Sequence, residues 1–405
     1  MERSAAHRRI AARTFDVDAV TEARDPGHSP HVALAEPILP PPAPGWRARL
    51  TACVLSTALS LGAAELAAAA MHDRAYAFLN VFEADARYGV RLIASAHTRT
   101  RSRLGRVTDV ATNAQHFRGP DWSPAPPGRV LPRRVLVLGD SQVFGYGVPW
   151  SDSLAPQLAQ ALGRDAEGLA AAVPTWGPTE YVRALEDFAP VYRPGVIVFV
   201  ANAANDWFET SVDNTRRTVA RDGWAERLTL PHTAPRWFPG RSYLMGRSHL
   251  VLAARELFAH AAEPGAPPAE MAARLLSELP RIGRPQGIRR SRMTPHLLAA
   301  ADLCRRLGCR VVAVALPLDV QVHPGEWAKY RSAPQDLRAT ERLLTDFVDD
   351  ARDAGILAVN LLAPLRDASP GAFLPDDYHL SPAGHRAAAR ALAAAIDASP
   401  SEATP

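Results

Sequence analysis

VLVLGDSQVFGYG, Val135 to Gly147, is an apolar run that stops at Gly139-Asp140-Ser141. Four consecutive aliphatic residues closed by a glycine fit a strand buried on both faces, as in a parallel sheet. A residue just beyond such a strand stands at the edge where open α/β sheets carry their functional sites. A neutral serine is a weak nucleophile. It needs a base to take its proton and a third group to orient that base. Ser141 is therefore either a nucleophile or a polar residue in a turn, and the rest of the chain must decide.

Outward from this run the pattern repeats. Strands are predicted at Arg134–Gly139, Gly168–Pro174, Gly195–Asn202, Cys309–Pro317 and Ile356–Leu362. Helices are predicted at Ser153–Gly163, Thr179–Tyr192, Pro295–Gly308, Asp336–Gly355 and Pro382–Ile396. Alternating strands and helices imply an α/β domain, a three-layer α/β/α doubly wound parallel sheet, over residues 131–398. Between Trp207 and Thr294 the alternation breaks, which marks an insertion that lines a cleft, closes over it, or only decorates the surface.

Residues 1–49 are polar and end in the proline run PILPPPAPG, so a disordered N-terminal tail is expected. LTACVLSTALSLGAAELAAAAM, Leu50 to Met71, has the length of a membrane span and one charge, Glu65. Arg47 and Arg49 precede it, while His72, Asp73 and Arg74 follow. This favours an uncleaved signal anchor with the N-terminus in the cytoplasm and the residues after the anchor outside. The alternatives are an alanine-rich soluble helix and cleavage after the alanines. Residues 72–130 form a juxtamembrane connecting region with short strands and a proline-rich loop.

The chain has 405 residues, 47% apolar and 22% charged, with a net charge of +4. Its arginines are scattered rather than striped, which argues against nucleic-acid binding. Cys304 and Cys309 in CRRLGC read as two half-buried thiols or as a local disulfide, with the thiols favoured. No metal or cofactor is expected, because the cysteines and histidines lack ligand spacing.

Partners for Ser141 occur near the C-terminus. LPDDYHLSPAGHRAAA, Leu374 to Ala389, follows the last predicted strand. Asp376 and His379 are three apart, and on a turn or short helix that spacing puts both on one side. Asp376 then orients His379, and His379 serves Ser141 as base. Asp377 is expected to be exposed, and His385, inside the following helix, to face solvent or pack. Oxyanion donors are sought in VPTWGPTEY, where Thr175 and Gly177 offer backbone N–H groups, and in VANAANDW, where the amide of Asn205 can donate.

The ordered set GDS, a glycine-bearing second loop, ND and DxxHLxxxGH resembles the SGNH/GDSL hydrolase superfamily over about Arg133 to Ile396, apart from the insertion. YGVRL and TNAQHFRG ahead of it, with Glu65 late in the apolar run, are similar to the lead-in of membrane-anchored bacterial members. The resemblance implies Ser141 as nucleophile, His379 as base and Asp376 as its partner. It also implies an oxyanion hole from the Ser141 N–H, a loop glycine and Asn205. The chain departs from the family pattern twice. The second loop reads PTWG, so the glycine position falls on Thr175 with Gly177 two residues late, and Ala203 stands where the third block usually has glycine.

Three functions follow. The first is a serine esterase acting on a small ester or acylated envelope glycan. The second is an O-acyltransferase acting on an envelope polymer. The third is a non-catalytic binding or assembly module with a degenerate site.

Overall fold

The computed structural model describes residues 45–76, 79–102, 104–228, 243–244, 246–262, 291–330, 334–375 and 377–399. The expected tail therefore lies outside the described residues up to 44, and its last residues belong to a helix instead, α1 (Trp46–Met71). This is a correction: Arg47 and Arg49 fall inside the first turn, because helix-forming residues continue upstream of Leu50 as far as Gly45. Leu50, Val54, Leu55, Leu59, Leu61 and Leu66 of α1 are exposed. By length and composition this is one helix able to cross a membrane.

Two antiparallel pairs follow, β1 (Phe82–Asp85) with β2 (Gly89–Leu92) and β3 (His97–Arg101) with β4 (Val107–Ala111). They are more than a connection. Val90, Leu92, Val110, Phe117 and Trp122 bury into the same core as the main sheet. Trp122 stacks on Phe117 at 4.9 Å, and the Trp176 indole N–H donates to the Val90 carbonyl at 2.7 Å.

The main sheet has five parallel strands: β5 (Leu131–Gly139), β6 (Glu167–Ala172), β7 (Pro194–Asn202), β10 (Arg310–Leu316) and β11 (Leu357–Asn360). Their order is β11-β10-β7-β5-β6. Val135 to Leu138 are each at most 1% exposed, and full burial of one such side chain contributes about 1.5–3 kcal/mol. That is why this strand shows no alternation. Helices α3 (Leu154–Leu162) and α12 (Pro382–Ala398) pack together on one face. Helices α4 (Pro178–Tyr192), α8 (Thr294–Leu307) and α10 (Arg338–Asp353) cover the other. The result is the three-layer α/β/α doubly wound fold. From β5 the chain first adds β6 on one side, then crosses to add β7 on the other. The carboxyl ends of β5 and β7 therefore frame the switch point at which such sheets bind ligands.

Cys304 at the end of α8 and Cys309 before β10 are joined in a disulfide, which corrects the expectation of two thiols. Gly308 between them has φ +75°, so the helix closes in a left-handed turn that brings the two Cα atoms within 4.7 Å.

Within the expected insertion, the described residues form α5 (Asp206–Glu209), α6 (Asn214–Arg217), the hairpin β8 (Thr218–Arg221) and β9 (Trp224–Arg227), and α7 (His249–Ala262). Glu65 of α1 caps α7. Its carboxylate accepts from the N–H groups of His249 at 2.6 Å and Leu250 at 3.0 Å and from the Ser248 hydroxyl at 2.7 Å. The one charge in the apolar run thus satisfies the free N–H groups at a helix start.

Candidate active site

The turn after β5 is built to present Ser141. Asp140 caps the short helix α2 (Ser141–Phe144): Oδ1 accepts from the Gln142 N–H at 2.9 Å. Gly145 ends that helix at φ +74°. Arg118, 1% exposed, lies beneath. It donates to the carbonyls of Phe144 at 3.1 Å, Gly145 at 2.6 Å and Val148 at 2.7 Å. Burial without a carboxylate partner lowers its pKa to about 10, yet it stays protonated at neutral pH and ties the turn to the β3–β4 region.

His379 comes from the loop before α12. Leu380 pairs with Phe373 in an isolated bridge, and the Leu374 N–H donates to the His379 carbonyl at 2.8 Å, so the loop is closed at its base. Gln142, next to the serine, grips it: the side-chain amide donates to the Tyr378 carbonyl at 3.1 Å and accepts from the Leu380 N–H at 3.0 Å. Tyr378 stacks on the His379 ring at 4.4 Å, and Tyr146 stands 5.0 Å away on a tilted plane.

Nε2 of His379 lies 2.8 Å from the Ser141 hydroxyl oxygen. Nδ1 lies 2.9 Å from Oδ1 of Asp377. A carboxylate only accepts, so Nδ1 carries the hydrogen and Nε2 is left to take the serine proton. Asp376, expected in this role, lies outside the described residues. Among the described residues the carboxylate that meets the ring is that of Asp377, which was expected to be exposed. Burial disfavours charge on His379, but Asp377, its hydrogen bond, and the more distant Asp140 and Asp319 outweigh it, and the pKa is raised. Burial likewise works against ionised Asp377, and His379 more than compensates, so that carboxyl is held low. His385 is buried and its pKa is lowered to about 3, first by burial and then by His379 and Arg118; it packs as a neutral ring.

The second and third loops divide the expected oxyanion donors. The Gly177 N–H is taken by Glu180 Oε2 at 3.0 Å, because Gly177 is the N-cap of α4. This corrects its reading as a free donor. Thr175 has φ +90°, a backbone region that favours glycine, and its hydroxyl is buried without a partner. The Asn205 N–H is directed at the Asn202 carbonyl at 3.4 Å. Its side-chain oxygen accepts from Asn202 at 2.8 Å, and its side-chain nitrogen donates one hydrogen to Glu209 at 2.8 Å. Asn202 also donates to Asp140 at 2.9 Å, which links the loop after β7 to the serine turn. Behind them Glu209 is buried against Arg217 and Arg227, and Asp206 accepts from the Tyr181 hydroxyl at 2.9 Å. Among the described residues no three His, Cys, Asp or Glu side chains form a group able to hold a metal ion.

Gln142 and Arg118 were not singled out as site residues from the sequence. Their partners are main-chain carbonyls and N–H groups, which leave no mark in residue type.

Residues 286–405 match the family model described as "SGNH hydrolase-like domain, acetyltransferase AlgX". No curated protein matches the chain. Among solved structures, a psychrotrophic esterase from Pseudoalteromonas sp. is 12% identical with a TM-score of 0.35, covering 66% of this chain and 97% of its own. A carbohydrate acetylesterase from Sinorhizobium meliloti is 14% identical with a TM-score of 0.34, covering 66% and 99%. Over residues 286–405 the chain is thus similar to an SGNH hydrolase-like domain.

Proposed function

We propose that the protein is a serine esterase of the SGNH type. The observation that carries this reading is the run of contacts from Ser141 through His379 to Asp377, 2.8 and 2.9 Å long. Ser141 Oγ attacks the ester carbonyl carbon while Nε2 of His379 takes its proton. Asp377 holds the Nδ1–H and steadies the imidazolium. The oxyanion is met by N–H groups of Ser141 and Thr175 and by the second hydrogen of the Asn205 amide. Collapse of the adduct breaks the bond to the alcohol, which leaves with the proton from Nε2. Water then adds to acyl-Ser141 by the same route and releases the acid. Transfer to a sugar hydroxyl instead of water is the second reading, favoured by the acetyltransferase in the description of the family matched by residues 286–405.

The domain is placed outside the bacterial cytoplasmic membrane on a single span, α1. Two observations support that: Arg47 and Arg49 at its leading end, and the Cys304–Cys309 disulfide, which persists in oxidising compartments. O-acylated envelope glycans are the substrates such a location offers.

The test uses the full-length chain in detergent with p-nitrophenyl acetate. Ser141→Ala and His379→Ala are each expected to lower kcat about 10⁴-fold or more, as loss of a nucleophile or base does elsewhere. Turnover indifferent to both changes would overturn the assignment. Acetate released to water marks the esterase; acetate recovered on an added glycan marks the transferase.

A further inference from the structure

Of the 46 lysines and arginines in the chain, one is a lysine, Lys329. Arginine stands wherever else a fixed cation is used, so this position raises the question of what an ammonium does here that a guanidinium would not. Lys329 belongs to the 3-10 turn Pro324–Tyr330, which follows the short helix α9 (Asp319–Val322) beyond the carboxyl end of β10. Its side chain is 10% exposed. Nζ donates to the main-chain carbonyl of Asp377 at 2.9 Å and lies 3.3 Å from Oδ2 of Asp319. It also pairs with Glu326 one turn away. Asp319 takes a second donor from the Tyr330 hydroxyl at 2.6 Å.

Three acceptors therefore converge on one nitrogen. An ammonium has three hydrogens on a single atom and can serve all three. A guanidinium spreads its donors across a rigid plane and is bulkier, so it cannot converge on them in the same space. One of the three acceptors is the carbonyl of the residue whose carboxylate meets His379. The loop that carries this pair is gripped at Tyr378 and Leu380 by Gln142 and at Asp377 by Lys329.

Resting on the reading of Ser141, His379 and Asp377 given above, we infer that Lys329 is a positioning residue whose ammonium fixes the Asp377 main chain so that its carboxylate meets Nδ1 of His379. It touches neither substrate nor reacting atoms. Its charge also offsets Asp319 and Glu326, two buried carboxylates on the same side of the loop.

The experiment compares the full-length parent with Lys329→Arg, with the double variant Lys329→Met/Glu326→Gln, and with Ser141→Ala. The double variant removes the ammonium without stranding Glu326, while Asp319 keeps its Tyr330 donor. Thermal unfolding, kcat and KM on p-nitrophenyl acetate are read separately. Both lysine variants are expected to unfold cooperatively and to lose about 10- to 100-fold in kcat, the scale of a small misplacement of catalytic groups, with KM within about 3-fold of the parent. Failure of arginine to restore kcat is the signature of geometry rather than charge. The inference is overturned if Lys329→Arg or the folded double variant keeps parental kcat, or if KM alone changes. Loss of the folded state in both variants also overturns it, since the lysine is then a support of the fold. Parental turnover in Ser141→Ala is a different result. It removes the reading of the site, and the inference falls with it.

Discussion

The turns after β5 and β6 leave adjacent parallel strands at one edge of the sheet, yet they are held in different ways. The β5 turn carries its own closing residues, with Asp140 capping the Gln142 N–H and Gly145 as the left-handed stop, and Arg118 and Asn202 then brace it from outside. The β6 turn is held from a distance. Trp176 is pinned by the Val90 carbonyl in β2, Gly177 is committed to Glu180, and Glu180 in turn accepts from the Asn214 N–H at 3.2 Å. In the second turn the unusual backbone angle falls on a β-branched residue, Thr175. A turn closed by its own residues can be recognised by residue type. A turn closed by remote partners tolerates a residue that its backbone disfavours, because the surroundings hold it there.

The largest effect that tests this contrast is expected at Asp377. Asp377→Asn is expected to lower kcat about 10⁴-fold, since the amide presents the wrong partner to Nδ1. The pH profile moves as well. The base must be neutral to act, and the parent pKa is raised, so the parent's ascending limb lies above about 6.5, the ordinary histidine value. Removing the Asp377 charge takes away the leading upward influence, and the residual limb moves to lower pH. Steady-state rates across pH check both. If Asp376→Asn carries the loss and Asp377→Asn does not, the pairing at His379 is wrong.

The contrast also explains what was legible. The five parallel strands, the edge at which Ser141 stands and the imidazole of His379 follow from apolar runs and a few chemical residue types, because apolar patterning and spacing are written in the side chains. The choice between Asp376 and Asp377 is not, since the two positions carry the same residue type. Gly177 looked like a donor because of its residue type, but an N-cap position consumes the N–H. Lys329 lies in a segment, HPGEWAKY, to which residue type alone assigns no role; only its carbonyl partner across 48 residues gives it meaning. The cysteines carried both readings until the left-handed Gly308 brought them together.

A smaller effect is expected from Gln142→Met, which keeps the bulk and removes both grips on the histidine loop. Each neutral hydrogen bond of this kind is worth about 1 kcal/mol, and a buried group left unpaired costs about 1–3 kcal/mol. kcat is expected to fall about 10- to 100-fold as His379 loosens, with a modest loss of thermal stability. The placement of Ser141 by the Asp140 cap should persist, so labelling by a fluorophosphonate should slow rather than vanish. Unchanged kcat in a folded variant would show that the loop closes without help from the serine turn.

The smallest effect, on the other turn, separates the Thr175 side chain from its backbone. At φ +90° a β-branched residue carries strain of about 1–3 kcal/mol, and the buried hydroxyl has no partner. Glycine removes both costs and returns about 0.5–1 kcal/mol of them as extra backbone freedom in the unfolded chain. Thr175→Gly is therefore expected to stabilise the protein by about 1 kcal/mol, a rise of about 2–4 °C in the unfolding midpoint. Glycine keeps the N–H, so if that group meets the oxyanion, kcat should stay within about 3-fold of the parent. A fall beyond 10-fold would mean that the threonine side chain acts directly at the site. Unchanged kcat with a lower midpoint would mean that the methyl group packs well enough to outweigh the strain, and that the β6 turn is built for threonine.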